Sequence, residues 1–224
     1  MNNQLSASVE DYLKSIYSLT REQTRASTNE IADRMGVKPA SATGMIQRLA
    51  AAEPRLVDYQ KHRGVSLTAH GERIALEIIR HHRLLEAFLY EKLGYAWDEV
   101  HDEADRLEHV ISEEMEERIC RALGDPSYDP HGDPIPSRNL KMPGQSILPM
   151  SELQVGDRAT VQRINDTDPD LLRYLSAIGL TINSAVTVVA VSRFDGNLHL
   201  QVSDQRTPLV LGERVTSRLF VKPE

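Results

Sequence analysis

Four residues that bind metals fall on one stripe of a helical segment. His101, Asp105, Glu108 and His109 stand at i, i+4, i+7 and i+8, which at about 100° per residue places them within an arc of roughly 100°. The preceding helical segment carries His82 and Glu86 at i and i+4, again on one face. Imidazole nitrogen mixed with carboxylate oxygen suits Mn, Fe, Co, Ni and Zn. Any one of these histidines alone reads as a surface or core residue; six matched positions on successive helices point to an ion. His81, beside His82, points to another face and is assigned no role. Similar clusters build hydrolase sites, but no HExxH motif is present, and sensing is favoured over catalysis.

The cluster sits in the most acidic part of the chain. Overall net charge is −7, which argues against a general nucleic-acid binder. Its distribution is uneven: residues 1–75 carry net +2, residues 76–124 net −7 and residues 125–224 net −2. The first stretch suits an approach to DNA, and the second holds His81, His82, His101 and His109. No apolar run reaches the roughly 18 residues of a membrane span. The N-terminus lacks the basic start and apolar stretch of a signal peptide. The single cysteine, Cys120, excludes an internal disulfide and fits a reducing, cytoplasmic setting.

The elements that must position these residues follow from periodicity. Val9, Tyr12, Leu13 and Ile16 predict a helix over 7–21. Thr28 is expected to cap a short helix ended by Gly36, and Pro39 to open a second one with Met45, Ile46 and Leu49 inward. Two extended runs around residues 56–59 and 65–68 flank the tip QKHRG, a hairpin. A long helix is expected from about 69 to 93, stopped by Gly94, and a single helix from about 97 to 123, stopped by Gly124. Residues 125–150 hold six of the eleven prolines and read as ordered turns and then a linker. From about 151 the pattern is short β-branched strands around a helical DPDLLRYLSAIGL, consistent with an SH3-like β-barrel. The expected fold is mainly α with small β parts, divided into 1–72, a winged helix-turn-helix; 73–140, a helical metal-binding and dimerisation domain; 141–150, a linker; and 151–224, the SH3-like domain.

Helix, tight turn, helix and cationic hairpin is the order of a winged helix-turn-helix. Lys38, Ser41, Thr43, Gly44 and Gln47 line the exposed start of its second helix. The polar side chains there suit base edges, while Pro39 or Ala40 suits a thymine methyl. Arg48 and the wing residues Lys61, His62 and Arg63 suit phosphates.

These residues carry a resemblance. The stretch from His82 to Ile119, the N-terminal EDYLKSIYSL, the segment IADRMGVKPASATGMIQRL, the TAHGE element and the DPHGDPIP turn closely resemble the diphtheria toxin repressor family of iron- and manganese-dependent regulators. The match covers nearly all of residues 7–140. The C-terminal part is similar to the SH3-like domain of the family's longer members, akin to ferrous-iron-transport A modules. The resemblance implies a cytoplasmic homodimeric repressor, not an enzyme, that binds a palindromic operator in double-stranded DNA. It implies two sites per subunit for Mn(II) or Fe(II), and control of manganese or iron uptake genes. The primary site would use Asp11, Asp105, Glu108 and His109. The ancillary site would use His82 and Glu86, joined by His101 or Asp129, with Asp168 or Asp170 completing it.

The sequence departs from the iron-type pattern at two implied ligands, with Asp11 in place of methionine and Asp105 in place of cysteine. It departs from the manganese type at Lys14, where some of those members carry a bridging glutamate, and Asp105 is one methylene shorter than their glutamate. Both changes argue against a tightly bridged two-manganese site. The expected mechanism is a shift of population toward an arrangement in which two recognition helices reach successive major grooves, about 34 Å apart. A winged-helix regulator answering an organic ligand or oxidant, with structural acidic helices, is one alternative, and a metalloenzyme is the other.

Overall fold

The computed structural model describes residues 5–21, 23–165, 168–203 and 205–224 and divides into two compact units. The first contains the described residues up to His81, with Glu108–Ile111 and Pro136–Lys141. The second contains His82–Leu107, Ser112–Ile135 and the described residues from Met142 onward.

In the first unit, α1 (Ala7–Thr20) buries Val9, Tyr12, Leu13 and Ile16, the stripe its spacing predicts. Leu13 and Ile16 are fully buried, each worth about 1.5–3 kcal/mol of apolar transfer. They pack with Ile31, Ala32, Ala42, Ile46 and Leu49 from α2 (Thr28–Arg34) and α3 (Pro39–Ala51). Ser27, not Thr28, caps α2. Its hydroxyl accepts from the Glu30 N–H at 3.1 Å, and the Glu30 carboxylate accepts from the Ser27 N–H at 2.7 Å. This reciprocal box needs Ser and Glu three residues apart, so Thr28 becomes the first helical residue. Pro39 opens α3 as expected, and Met45 is only half-buried.

The wing is β1 (Val57–Gln60) paired antiparallel with β2 (Gly64–Leu67). Arg25, which sequence reasoning passed over, donates to the Asp58 and Gly64 carbonyls and pairs with the Asp58 carboxylate. It ties the wing to the chain that enters α2. The TAHGE element starts α4 (Ala69–Leu93). There the Thr68 hydroxyl accepts from the Gly71 N–H and donates to the Arg55 carbonyl. A Cβ on Gly71 would lie 2.0 Å from the Leu56 carbonyl oxygen, which requires glycine.

The single helix expected over 97–123 is two. α5 (Val100–Leu107) and α6 (Glu113–Leu123) are separated by a non-helical stretch at 108–112. Ser112 adopts an extended backbone and accepts from the Met115 N–H, capping α6. A serine after β-branched Val110 and Ile111 favours such a restart, because its hydroxyl competes with the helix for backbone partners. The stripe of four candidate ligands is therefore not carried by one continuous helix. His101 and Asp105 are on α5, whereas Glu108 and His109 lie in the break.

In the second unit, six antiparallel strands form a sheet in the order β3-β8-β4-β5-β6-β7. These are β3 (Leu148–Pro149), β4 (Arg158–Ile164), β5 (Ala185–Val191), β6 (Leu198–Val202), β7 (Leu209–Leu211) and β8 (Leu219–Pro223). The SH3-like barrel expected here is left open: among the described residues no ladder joins β3 to β7. Both edges are short and Pro149 has no N–H to donate, the usual condition of an edge strand. Bulges between Val161 and Arg163 and between Val188 and Ala190 bend the sheet around Val161, Leu200 and Val221. The helix α7 (Pro169–Ala177) contributes Leu172 and Leu175 to this core, and a four-residue helix, α8 (Glu213–Thr216), precedes β8. The stretch expected as linker, 141–150, ends in β3, and Met150 is fully buried. Among the described residues no helix is long and apolar enough to cross a membrane.

Candidate metal centre and nucleic-acid interface

Glu10, Asp11 and Lys14 share a partly exposed side of α1, opposite the apolar stripe. In the same unit the break after α5 supplies Glu108 and His109. His109 Nε2 lies 2.9 Å from Asp11 Oδ1 and 3.4 Å from Glu108 Oε1, and its Nδ1 lies 2.7 Å from Glu10 Oε2. A carboxylate on Nδ1 holds the proton there and turns the Nε2 lone pair toward Asp11 and Glu108, the usual support of a metal-binding histidine. Lys14 Nζ lies 2.9 and 2.8 Å from the two oxygens of Glu108, whose side chain is 1% exposed. Burial, with a contribution from Glu108, pushes the Asp11 carboxyl above the usual range, against the opposing pull of His109 and Lys14. Three crowded carboxylates around one imidazole suit a divalent cation, and donor atoms of Asp11, Glu108 and His109 all lie within 4.8 Å of one another.

Three of the four residues named for the primary site are thus together. The fourth, Asp105, belongs to the second unit, where its carboxylate lies 3.2 Å from His82 Nδ1 and 3.8 Å from His101 Nε2. Two positioning residues were missed. Glu10 is 99 residues from His109 in sequence, and no local spacing signals the pair. His81 is buried, and its Nδ1 is 3.1 Å from the Glu108 carbonyl oxygen, where it braces the turn carrying Glu108 and His109.

The second unit holds a tighter cluster. Glu86 Oε1 is 2.9 Å from His82 Nε2 and 3.0 Å from His101 Nδ1, and the two nitrogens are 3.1 Å apart. Asp105 on His82 Nδ1 leaves Nε2 as the donor facing Glu86, as Glu10 does for His109. Burial opposes ionisation of Glu86, but His82 and His101 outweigh it and hold the carboxyl well below the usual range.

Of the residues named to complete this site, His101 is in place. Asp129 caps the turn 129–133, with Oδ1 accepting from the His131 and Asp133 N–H groups at 2.9 Å. Gly132 in that turn has φ +84°, and a Cβ there would lie 1.8 Å from the Gln162 carbonyl oxygen. Asp168 caps α7 through Oδ1 and meets Arg218 through Oδ2 at 3.0 Å. Asp170 is exposed and pairs with Arg173 at 2.6 Å.

Of the residues expected to approach DNA, Lys38, Pro39, Ala40, Ser41, Gly44, Gln47, Arg48, Lys61, His62 and Arg63 are all exposed. Thr43 is half-buried, and its hydroxyl donates to the Pro39 carbonyl at 2.9 Å. That leaves the hydroxyl oxygen as an acceptor and the methyl group free of this bond. His62 takes φ +65° at the wing tip.

Three families match consecutive parts of the chain. Residues 4–65 match the N-terminal DNA binding domain of iron dependent repressors, residues 68–137 their metal binding and dimerisation domain, and residues 148–223 the FeoA domain. The iron-dependent repressor IdeR of Mycobacterium leprae is 32% identical over 199 residues, 83% of this chain and 85% of that protein. The diphtheria toxin repressor of Corynebacterium diphtheriae is 30% identical over 190 residues, 80% of this chain and 83% of that protein. A solved manganese-dependent transcriptional repressor in complex with manganese is 39% identical, with a TM-score of 0.89 over 96% of this chain and 100% of that one.

Proposed function

The chain belongs to the iron-dependent repressor family, and from that premise we propose that it represses manganese or iron uptake genes, with Mn(II) or Fe(II) controlling its grip on a palindromic operator. It is a metal-dependent, DNA-binding transcriptional repressor, and it acts as a regulator rather than a catalyst. The observation that carries this reading is the meeting of Asp11 on α1 with Glu108 and His109. Through its other face α1 forms part of the winged-helix core. A bound divalent cation would supply the positive charge that the two carboxylates and one imidazole of Asp11, Glu108 and His109 converge on.

The residues themselves do the rest. Glu10 keeps the His109 proton on Nδ1, Lys14 screens the Glu108 charge, and His81 braces the turn. Drawing Asp11, Glu108 and His109 together fixes α1, and with it the winged-helix core to which the recognition helix α3 also contributes. Metal favours operator binding only by the difference in its affinity for the two arrangements. His82, Glu86 and His101 form the second site, with Asp105 orienting His82. Leu93 and Met115, apolar and exposed, lie in the segment that matches the dimerisation domain and are offered as part of the homodimer face.

The test is operator binding by the full chain with and without Mn(II) and Fe(II), followed by chelation. Binding that appears with either ion and reverses with chelator is expected. Binding indifferent to metal would favour a regulator of another ligand, and turnover of a hydrolysable substrate would favour an enzyme.

The interface makes a separate prediction. Lys61→Ala and Arg63→Ala should lower affinity about equally for operator and random DNA, and each should reduce the slope of log affinity against log salt by about one, as a lost phosphate contact does. Gln47→Ala should instead change base preference, at about 1–3 kcal/mol for a specific contact. A wing variant with a new preferred operator would contradict this division.

A further inference from the structure

We propose that Lys14 is a tethered counter-ion that competes with the metal for Glu108. Metal binding then exchanges one cation for another, and Lys14 sets the metal concentration at which the protein responds. The inference rests on the reading of Asp11, Glu108 and His109 as a metal site, and all its residues belong to the first unit.

The ammonium engages the whole carboxylate. Lys14 Nζ lies 2.9 Å from Glu108 Oε1 and 2.8 Å from Oε2, so both oxygens accept from it. Oε1 is also the atom 3.4 Å from His109 Nε2, on the edge of the carboxylate that faces the imidazole. An ion on that oxygen and the ammonium would be like charges across one atom, and like charges so close oppose each other strongly where water is scarce. The Glu108 side chain is 1% exposed, so water screens the pair poorly. An exposed ion pair is worth little because solvent screens it, whereas a buried carboxylate depends on the partner it is given. Lys14 is such a partner.

The two partners differ in freedom, which is what an exchange needs. The Lys14 side chain is 25% exposed, and its hydrated head on a flexible four-carbon stem can swing to solvent. Glu108 cannot follow, because it is buried and His81 Nδ1 lies 3.1 Å from its carbonyl oxygen. Lys14 and Asp11 are three residues apart on the same side of α1. The helix therefore offers the turn two fastenings, a cation to Glu108 and a carboxylate that shares an ion with Glu108 and His109. A residue that only supported Glu108 would hold one oxygen and leave the other for the metal, as Glu10 holds one nitrogen of His109. Lys14 holds both. The two roles have opposite signs. Removing a support weakens metal binding. Removing a competitor leaves Asp11 and Glu108 crowded without their counter-charge, which raises the free energy of the metal-free form alone and tightens binding.

The experiment uses the full chain and Mn(II) alone. Free Mn(II) is followed by its electron paramagnetic resonance signal while wild type, Lys14→Met and Lys14→Arg are titrated, each also combined with His109→Ala. Lys14→Met should bind Mn(II) about tenfold more tightly than wild type, as expected for removing one like charge beside a divalent ion. The gain should vanish when His109→Ala is added, which localises it to this cluster. Lys14→Arg keeps the charge, and its fork grips a carboxylate through two donors, so it should bind no more tightly than wild type. Equal or weaker binding by Lys14→Met overturns the proposal, as does tighter binding by Lys14→Arg or a gain that survives His109→Ala. If Lys14→Met fails to fold, Lys14→Gln should show a gain of the same sign and decides in its place. If His109→Ala alone leaves Mn(II) binding at the wild-type level, the underlying site is overturned and the proposal falls with it.

Discussion

His109→Ala is expected to abolish metal-dependent operator binding while leaving a folded dimer. His109 sits at the centre of its cluster, with Asp11 and Glu108 on one nitrogen and Glu10 on the other. Losing a partner outside the ligand set already costs such sites about 10- to 100-fold in metal affinity. Loss of the ligand itself should cost about 100-fold or more. Glu108→Gln should behave alike, since an amide is a poor ligand and Lys14 would face it without its counter-charge. Glu10→Gln should fall between, about tenfold weaker, because the imidazole remains but loses the group that orients it. Mn(II) titration of operator binding, with circular dichroism and light scattering as controls for fold and dimer, gives the ranking. Wild-type affinity at limiting Mn(II) in either His109→Ala or Glu108→Gln would overturn the assignment.

The second large effect concerns which metal activates. Asp11, Glu108 and His109 offer two carboxylates and an imidazole, without sulfur. Oxygen donors suit Mn(II), the weakest binder of the first-row series, and added negative charge raises its affinity; softer donors favour later ions. Mn(II) should therefore activate operator binding at least as well as Fe(II). Asp11→Met should shift the ratio of the two responses toward Fe(II) by about tenfold or more, a difference of about 1.4 kcal/mol. Affinity alone is a poor readout, since Zn(II) and Ni(II) bind most nitrogen and oxygen sites tightly. Operator binding against free metal, measured anaerobically for both ions, is the deciding quantity. A wild type that answers Fe(II) and ignores Mn(II) would mean that geometry rather than ligand hardness selects the ion.

Much of this protein is written in local spacing. The stripe Val9, Tyr12, Leu13, Ile16 determines which side of α1 is buried, and so leaves Glu10, Asp11 and Lys14 on the other. His82 and Glu86 share a face because four residues make about one helical turn, and the structure places them 2.9 Å apart. Pro39, the wing turn and the β-branched strands follow from backbone preferences that act over a few residues. Tertiary structure decided the rest. Spacing promised one continuous helix under His101 to His109, but α5 ends at Leu107, so Glu108 and His109 lie in the break before α6, which the Ser112 cap restarts. Glu10 reaches His109 across 99 residues, and His131 reaches the Trp97 carbonyl across 34. Helical periodicity repeats every 3.6 residues and fixes only neighbours along the chain. Which distant side chain completes a buried acid or imidazole is set by how whole elements pack.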